Sequence, residues 1–153
     1  MQWRCVPYFY SCVKKKVCKL PKVPVISIID DDESVRDATE SLVRSLGYAA
    51  ATFSSAEEYL QSEHVSDSSC LITDLRMPGM SGAELQDRLI AGGHTTPIIF
   101  MTASRDERVR MRVLNAGACG FLRKPCDFQS LIDCLKDALG RVDPDPARRQ
   151  SVD

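Results

Sequence analysis

At 153 residues and 17.0 kDa the chain suits one domain, since single cores of about 100–200 residues are the norm. A hydrophobic fraction of 44%, 27% charged residues and apolar runs no longer than stretches such as Ile98-Ile99-Phe100-Met101 describe an ordinary globular protein and exclude a membrane-spanning helix. The net charge of −1 is uneven: Arg4, Lys14, Lys15, Lys16, Lys19 and Lys22 stand among residues 1–24 without one acid, leaving 14 basic against 21 acidic residues elsewhere, an acidic body unsuited to a nucleic-acid backbone.

The basic, aromatic and Cys-containing segment 1–24 closes on Leu20-Pro21-Lys22-Val23-Pro24, where proline disfavours helix, and reads as a disordered or non-native extension. Val25-Ile26-Ser27-Ile28-Ile29 is a β-branched run ending in acids, which predicts a buried parallel strand. Ser34 to Leu46 carries Val35, Leu42, Val43 and Leu46 at helical spacing, with Gly47 as its stop. Tyr48–Phe53 is a second strand. Ser54 or Ser55 caps a helix through Leu60, with Glu57 and Glu58 as first-turn charges. Cys70-Leu71-Ile72-Thr73 is a third strand ending at Asp74, followed by a Met77-Pro78-Gly79 turn. Ser81-Gly82-Ala83-Glu84 is a capping box opening a helix to about Ile90. Pro97–Met101 is the fourth strand, and Ser104-Arg105-Asp106-Glu107 reads as a second capping box for a helix ending near Asn115. Cys119–Leu122 is the fifth strand, Asp127 caps a last helix with Leu131, Leu135 and Leu139, and 141–153 is a polar tail.

Five strands each followed by a helix give (βα)5, an α/β fold with a mostly parallel sheet covered on both faces. Such sheets bind ligands at the carboxyl ends of their strands. Those ends hold Asp30 and Asp31, Asp74, Thr102, and Lys124-Pro125. The three acids and one lysine sum to −2, and two like charges 4 Å apart repel by roughly 4 kcal/mol at an effective dielectric near 20. The cluster therefore calls for a divalent cation, and hard oxygen ligands suit Mg²⁺ (or Mn²⁺). Acids, a hydroxyl and a lysine around such an ion are equipment for phosphoryl transfer, with Asp74 as nucleophile. His64 and His94 lie in polar stretches and read as surface residues; Cys70, Cys119 and Cys134 read as small buried hydrophobes in a reduced, cytoplasmic protein.

The strings Ile28-Ile29-Asp30-Asp31-Asp32-Glu33, Thr73-Asp74-Leu75-Arg76-Met77-Pro78-Gly79-Met80-Ser81-Gly82, Met101-Thr102-Ala103, Asn115-Ala116-Gly117-Ala118 and Leu122-Arg123-Lys124-Pro125 stand in the order and spacing of a known family. Over residues 25–140 the chain resembles the receiver domain of two-component response regulators, most of all receivers that elsewhere precede a LuxR-like DNA-binding domain. The resemblance implies a doubly wound, flavodoxin-like sheet in the order 2-1-3-4-5. It makes Asp74 the phosphoacceptor and Asp31 a direct Mg²⁺ ligand, with Asp30 acting mainly through water and the Arg76 backbone carbonyl completing the shell. Thr102 is then the switch hydroxyl, Lys124 the cation on the phosphoryl group, and Phe121 the switch aromatic. Lys124-Pro125 is expected to be cis, the small Ala103 to leave the site open to a donor, and Arg76 and Ser104 to tune the lifetime. Cys126 stands where relatives often carry Phe.

The function this implies is a stand-alone receiver, not an enzyme beyond its own phosphorylation and dephosphorylation. Its donor would be a sensor histidine kinase or a histidine phosphotransfer protein. Its readout would be an effector protein or a homodimer, through the face of the fourth helix, fifth strand and fifth helix. A haloacid-dehalogenase-like phosphatase with Asp30 as nucleophile is the enzyme alternative, because Asp30-Asp31-Asp32 satisfies D-x-D; it leaves Asp74 unexplained. Further alternatives are a fragment of a longer DNA-binding regulator and a receiver fold that only binds partners.

Overall fold

The computed structural model describes residues 23–141. The expected extension therefore lies outside the described residues except for Val23 and Pro24, and the expected tail except for Arg141. The elements run β1 (Val25–Ile29), α1 (Glu33–Ser45), β2 (Ala49–Phe53), α2 (Ala56–Leu60), a single helical turn His64–Asp67, β3 (Cys70–Thr73), α3 (Gly82–Ala91), β4 (Ile98–Thr102), α4 (Glu107–Asn115), β5 (Gly120–Arg123) and α5 (Phe128–Arg141). The five strands form one sheet in the order β2-β1-β3-β4-β5, every neighbouring pair parallel.

The continuous apolar strands follow from burial on both faces. Ile29, Phe53, Leu71, Ile98 and Phe100 point to one side, where α2, α3 and α4 add Tyr59, Leu85, Leu89 and Val113. Ile26, Ile28, Ile72, Ile99 and Met101 point to the other, against Val43 of α1 and Leu131, Leu135 and Ala138 of α5. The one polar side chain inside β1 is accounted for: Ser27, fully buried, shares a 2.6 Å hydrogen bond with Ser68, to which the buried Tyr59 hydroxyl also donates at 3.2 Å.

Local chemistry moves several boundaries. Asp32 is the N-cap of α1, its carboxylate accepting from the amides of Ser34 and Val35. Pro97 has no N–H to give, so the β4 ladder begins at Ile98. The Ser104–Glu107 capping box does not form. Asp106 caps α4 instead, accepting from the Arg108 amide at 3.0 Å, while the Ser104 hydroxyl accepts from the Asp106 amide. With Asp106 as the cap, Glu107 is the first residue of the helix rather than the third, and its carboxylate pairs with Arg110 and Arg123 at 3.2 and 2.5 Å. His64 is not a loop surface residue: it starts the extra turn, lies half-buried with its ring centroid 5.9 Å from that of Phe53, and pairs with Asp67 at 3.0 Å. His94 is also half-buried, its amide donating to Leu89. Of the three cysteines read as core, only Cys70 is fully buried, and Cys119 and Cys134 are half-buried.

Candidate functional site

The parallel register brings four strand ends to one edge. Ile29 pairs with Thr73, Thr73 with Phe100 and Thr102 with Arg123, so Asp30 and Asp74 stand level across the sheet, with Thr102 one position and Lys124 two positions further along. Asp30 is only 3% exposed. Its amide donates to Phe53, one carboxylate oxygen accepts from the Asp32 amide at 2.9 Å, and its carbonyl accepts from the Arg36 guanidinium at 2.7 Å. Asp74, 8% exposed, is held by its amide on Ile29 and by the Arg76 amide, which donates to its Oδ1 at 3.1 Å. Asp31 faces solvent.

Lys124 ties the two buried acids together. Its ammonium donates to Asp30 Oδ2 at 2.6 Å and to Asp74 Oδ2 at 2.9 Å, across 94 and 50 residues of chain. The electrostatics are asymmetric. Burial pushes the Asp30 carboxyl above its ordinary range, and the Asp74 charge adds to that, against the opposing pull of Lys124 and the Asp32 amide. Burial alone would pull the Lys124 ammonium down, but its hydrogen bonds to Asp30 and Asp74 outweigh it and hold the lysine above its ordinary value. The lysine is thus a fixed cation under two carboxylates.

Carboxylate oxygens of Asp30, Asp31 and Asp74 come within 4.8 Å of one another, so the three acids could hold a metal ion. One exposed and two buried oxygen donors, with a net charge of −2 after Lys124, suit a hard divalent cation that keeps some of its water. The residues present therefore fit Mg²⁺. Arg76 is exposed and its backbone lies in the loop beginning directly after Asp74.

The rest of the predicted set surrounds this centre. Thr102 is 1% exposed, and its hydroxyl oxygen accepts from the Ser104 amide at 3.1 Å. Phe121, half-buried, packs against the core cluster that includes Phe100 and Val113, and the Arg110 guanidinium carbon lies 5.6 Å from its ring centroid. Lys124-Pro125 is a cis peptide. Ala103 is exposed and lines a largely apolar cavity of about 470 Å³ with Lys124, Pro125, Cys126 and Phe128. No strand-end residue predicted for the site falls elsewhere.

A sequence profile of the response regulator receiver domain matches residues 26–136. The chain belongs to the response regulator receiver family. The receiver is 37% identical over 139 residues to response regulator protein TodT of Pseudomonas putida strain F1, covering 90% of this chain and 61% of TodT. It is 36% identical over 122 residues to transcriptional regulatory protein FixJ of Azorhizobium caulinodans, covering 80% of this chain and 58% of FixJ. The chain thus spans about 60% of the length of these curated relatives. Among solved structures, response regulator StyR superposes with a TM-score of 0.74 at 39% identity, covering 85% of this chain and 64% of StyR. FixJ-N superposes at 0.70 and 31% identity, covering 78% and 96%. The doubly wound order 2-1-3-4-5 is that of the receiver fold, and the family match leaves the haloacid-dehalogenase-like alternative without support.

Two residues around the receiver site were not assigned to it from the sequence, Glu57 having been read only as a first-turn charge. Arg36 donates to the Asp30 carbonyl, and Glu57 accepts from the Met80 amide at 2.6 Å. Both are charged residues on helix surfaces, where sequence patterning predicts solvation. Nothing in their spacing distinguishes them from Arg44 or Glu58.

Proposed function

We propose that this receiver, over residues 25–140, accepts a phosphoryl group on Asp74 from a histidine of a sensor kinase or phosphotransfer protein and later loses it by hydrolysis. The observation that carries the reading is the Lys124 ammonium bridging Asp30 and Asp74 at 2.6 and 2.9 Å. A carboxylate oxygen of Asp74 attacks phosphorus; the bond from phosphorus to the donor imidazole breaks, and the ring nitrogen keeps the electron pair. In the return step water attacks phosphorus, the bond to Asp74 breaks, and inorganic phosphate leaves while the carboxylate is restored. Asp31 directly, Asp30 mainly through water, Asp74 and the Arg76 carbonyl would hold Mg²⁺ or Mn²⁺. The ion, when bound, supplies neutralisation of the charge on the transferring oxygens.

The chain's own groups do the rest. Lys124 neutralises a second phosphoryl oxygen, and the Thr102 hydroxyl exchanges its present acceptance from the Ser104 amide for donation to the phosphoryl group. Thr102 and Phe121 share one sheet face, so that movement reaches the surface of α4, β5 and α5, where an effector protein or a second copy reads it. Ala103 leaves the approach open, and Arg76 and Ser104 set the lifetime. Turnover of other substrates forms no part of this reading, nor does nucleic-acid binding by this domain. No helix among the described residues is long and apolar enough to cross a membrane, and a cytoplasmic setting follows from the donor. The stand-alone reading has one rival with an observation behind it: the relatives are longer and include a transcriptional regulator, which favours a DNA-binding regulator of which this is the receiver.

Intact mass after incubation with Mg²⁺ and acetyl phosphate tests the chemistry. One phosphoryl gain in the wild type, absent in Asp74→Ala, is expected. A gain that survives in Asp74→Ala would overturn the assignment.

A further inference from the structure

Glu57 sits in the first turn of α2, on a different element from every group in the acidic centre, yet its carboxylate reaches the loop that leaves Asp74. Its Oε1 accepts from the Met80 amide at 2.6 Å, across 23 residues of chain. Gly79, with φ +80, lies directly beneath it: a Cβ there would stand 2.9 Å from Oε1 and 3.3 Å from Oε2. The left-handed backbone at Gly79 favours glycine, and a Cβ there would make the Glu57 carboxylate shift. The same loop is closed at its far end by the Gly82 amide donating to Leu75 at 2.9 Å, and is anchored inward by Met77 and Met80, 9% and 8% exposed. At its near end the Arg76 amide donates to Asp74 Oδ1.

We propose that Glu57 is a positioning residue for the metal site, acting as a staple that holds the Arg76 carbonyl where a cation on Asp31 and Asp74 can use it. The inference rests on the reading of that site given above. A backbone carbonyl has no rotamer with which to find its ligand; its place is set by the dihedrals of the loop that carries it. The Arg76 amide is tied to Asp74, and the loop beyond it is held by the buried Met77 and Met80, by the Gly82 amide on Leu75 and by the Glu57 contact four residues on. Freeing that contact loosens one of the ties that fix the carbonyl while the three acids stay where they are. Outer partners of metal ligands change affinity by about 10- to 100-fold when removed, and a loop contact one step further out belongs at the lower end of that range. The contact needs an acceptor at the right reach, not a negative charge.

Binding of Mn²⁺ alone, followed by the loss of the free-ion EPR signal, tests this on the full chain. Asp31→Asn is the control for the site itself. If wild type and Asp31→Asn take up Mn²⁺ equally, or the wild type takes up none, the metal reading fails and Glu57 has no carbonyl to position. Given that control, Glu57→Ala is expected to weaken Mn²⁺ by about tenfold and to expose the Met80 amide to hydrogen exchange. Glu57→Gln, which keeps the acceptor, should stay near wild type in both. Glu57→Asp, which keeps the charge but loses a methylene of reach, should fall with Ala, and gives the same answer if Glu57→Ala does not fold. Unchanged Mn²⁺ affinity in Ala and Asp would overturn the proposal, even with a lowered urea midpoint. So would an equal loss in Gln, which would make the effect one of charge.

Discussion

Lys124 and its two carboxylates form the most buried ion pairs among the described residues. The lysine side chain is 17% exposed, that of Asp30 4% and that of Asp74 11%. Removing one member of such a buried group leaves the others uncompensated, at a typical cost of about 3 kcal/mol. In Mg²⁺-free buffer Lys124→Met is therefore expected to lower urea stability by about that amount, and with Mg²⁺ present to lose the phosphoryl gain from acetyl phosphate. A Lys124→Met protein as stable as wild type would mean that the acids are solvated rather than paired. Lys124 was legible in the sequence because it precedes Pro125 at a strand end. That it bridges Asp30 and Asp74 together was not, since the two contacts close over 94 and 50 residues of chain.

At the scale of elements, the N-terminal turns of two helices carry separable tasks. In α2 the Glu58 carboxylate accepts from the Ser54 amide at 2.9 Å and from its hydroxyl at 2.8 Å, while Ser55 accepts from the Glu58 amide at 3.1 Å, a reciprocal cap. Those bonds from Ser54 hold the Glu58 carboxyl below its ordinary value of 4.5. The stabilisation is thus present in full above pH 4.5 and lost as pH falls through the lower folded value. Glu58→Gln should cost about 0.5 kcal/mol at pH 7, small because the group is exposed, and the gap to wild type should close in urea titrations well below pH 4.5. In α3 the constraint is steric. A Cβ at Gly82 would meet the Asp74 carbonyl at 2.3 Å and Leu75 Cα at 3.1 Å, both backbone atoms. Gly82→Ala must move the helix from the strand, at about 2 kcal/mol, and a denaturant midpoint equal to wild type would show the helix to be free to shift.

Over the whole molecule, folding and metal binding should be one linked equilibrium. Asp74 is distant in sequence from the adjacent Asp30 and Asp31 and comes within 4.8 Å of both only in the fold, so a divalent ion is expected to bind the native state and stabilise it. At a Mg²⁺ concentration about 100 times the dissociation constant the gain is about 2.7 kcal/mol. Thermal unfolding should shift upward with Mg²⁺ in the wild type and stay flat in Asp31→Asn. Equal shifts in both would place the ion elsewhere. The shift is to be read against both apolar layers, since α1 and α5 pack on one side of the sheet and α2, α3 and α4 on the other, and loss of either exposes the same strands.

The alternation of strands and helices, the core runs and the acids, Thr102 and Lys124 at strand ends were all legible in the sequence. Each is a local pattern, and a parallel sheet converts strand-end position into spatial convergence whatever the loops do. Where local signals competed, the tertiary structure decided. Glu107 could serve a capping box, but Asp106 took the cap, and the Glu107 carboxylate pairs instead with Arg110 one turn on and with Arg123 of the neighbouring β5. His64 and Glu57 look like solvated polar residues until Phe53 and the Met80 amide are placed against them. A hydrogen bond between residues distant in sequence leaves no periodicity behind. That is why the fold and the centre of the site could be read from the chain, whereas the groups that brace the centre emerged only once the chain was folded.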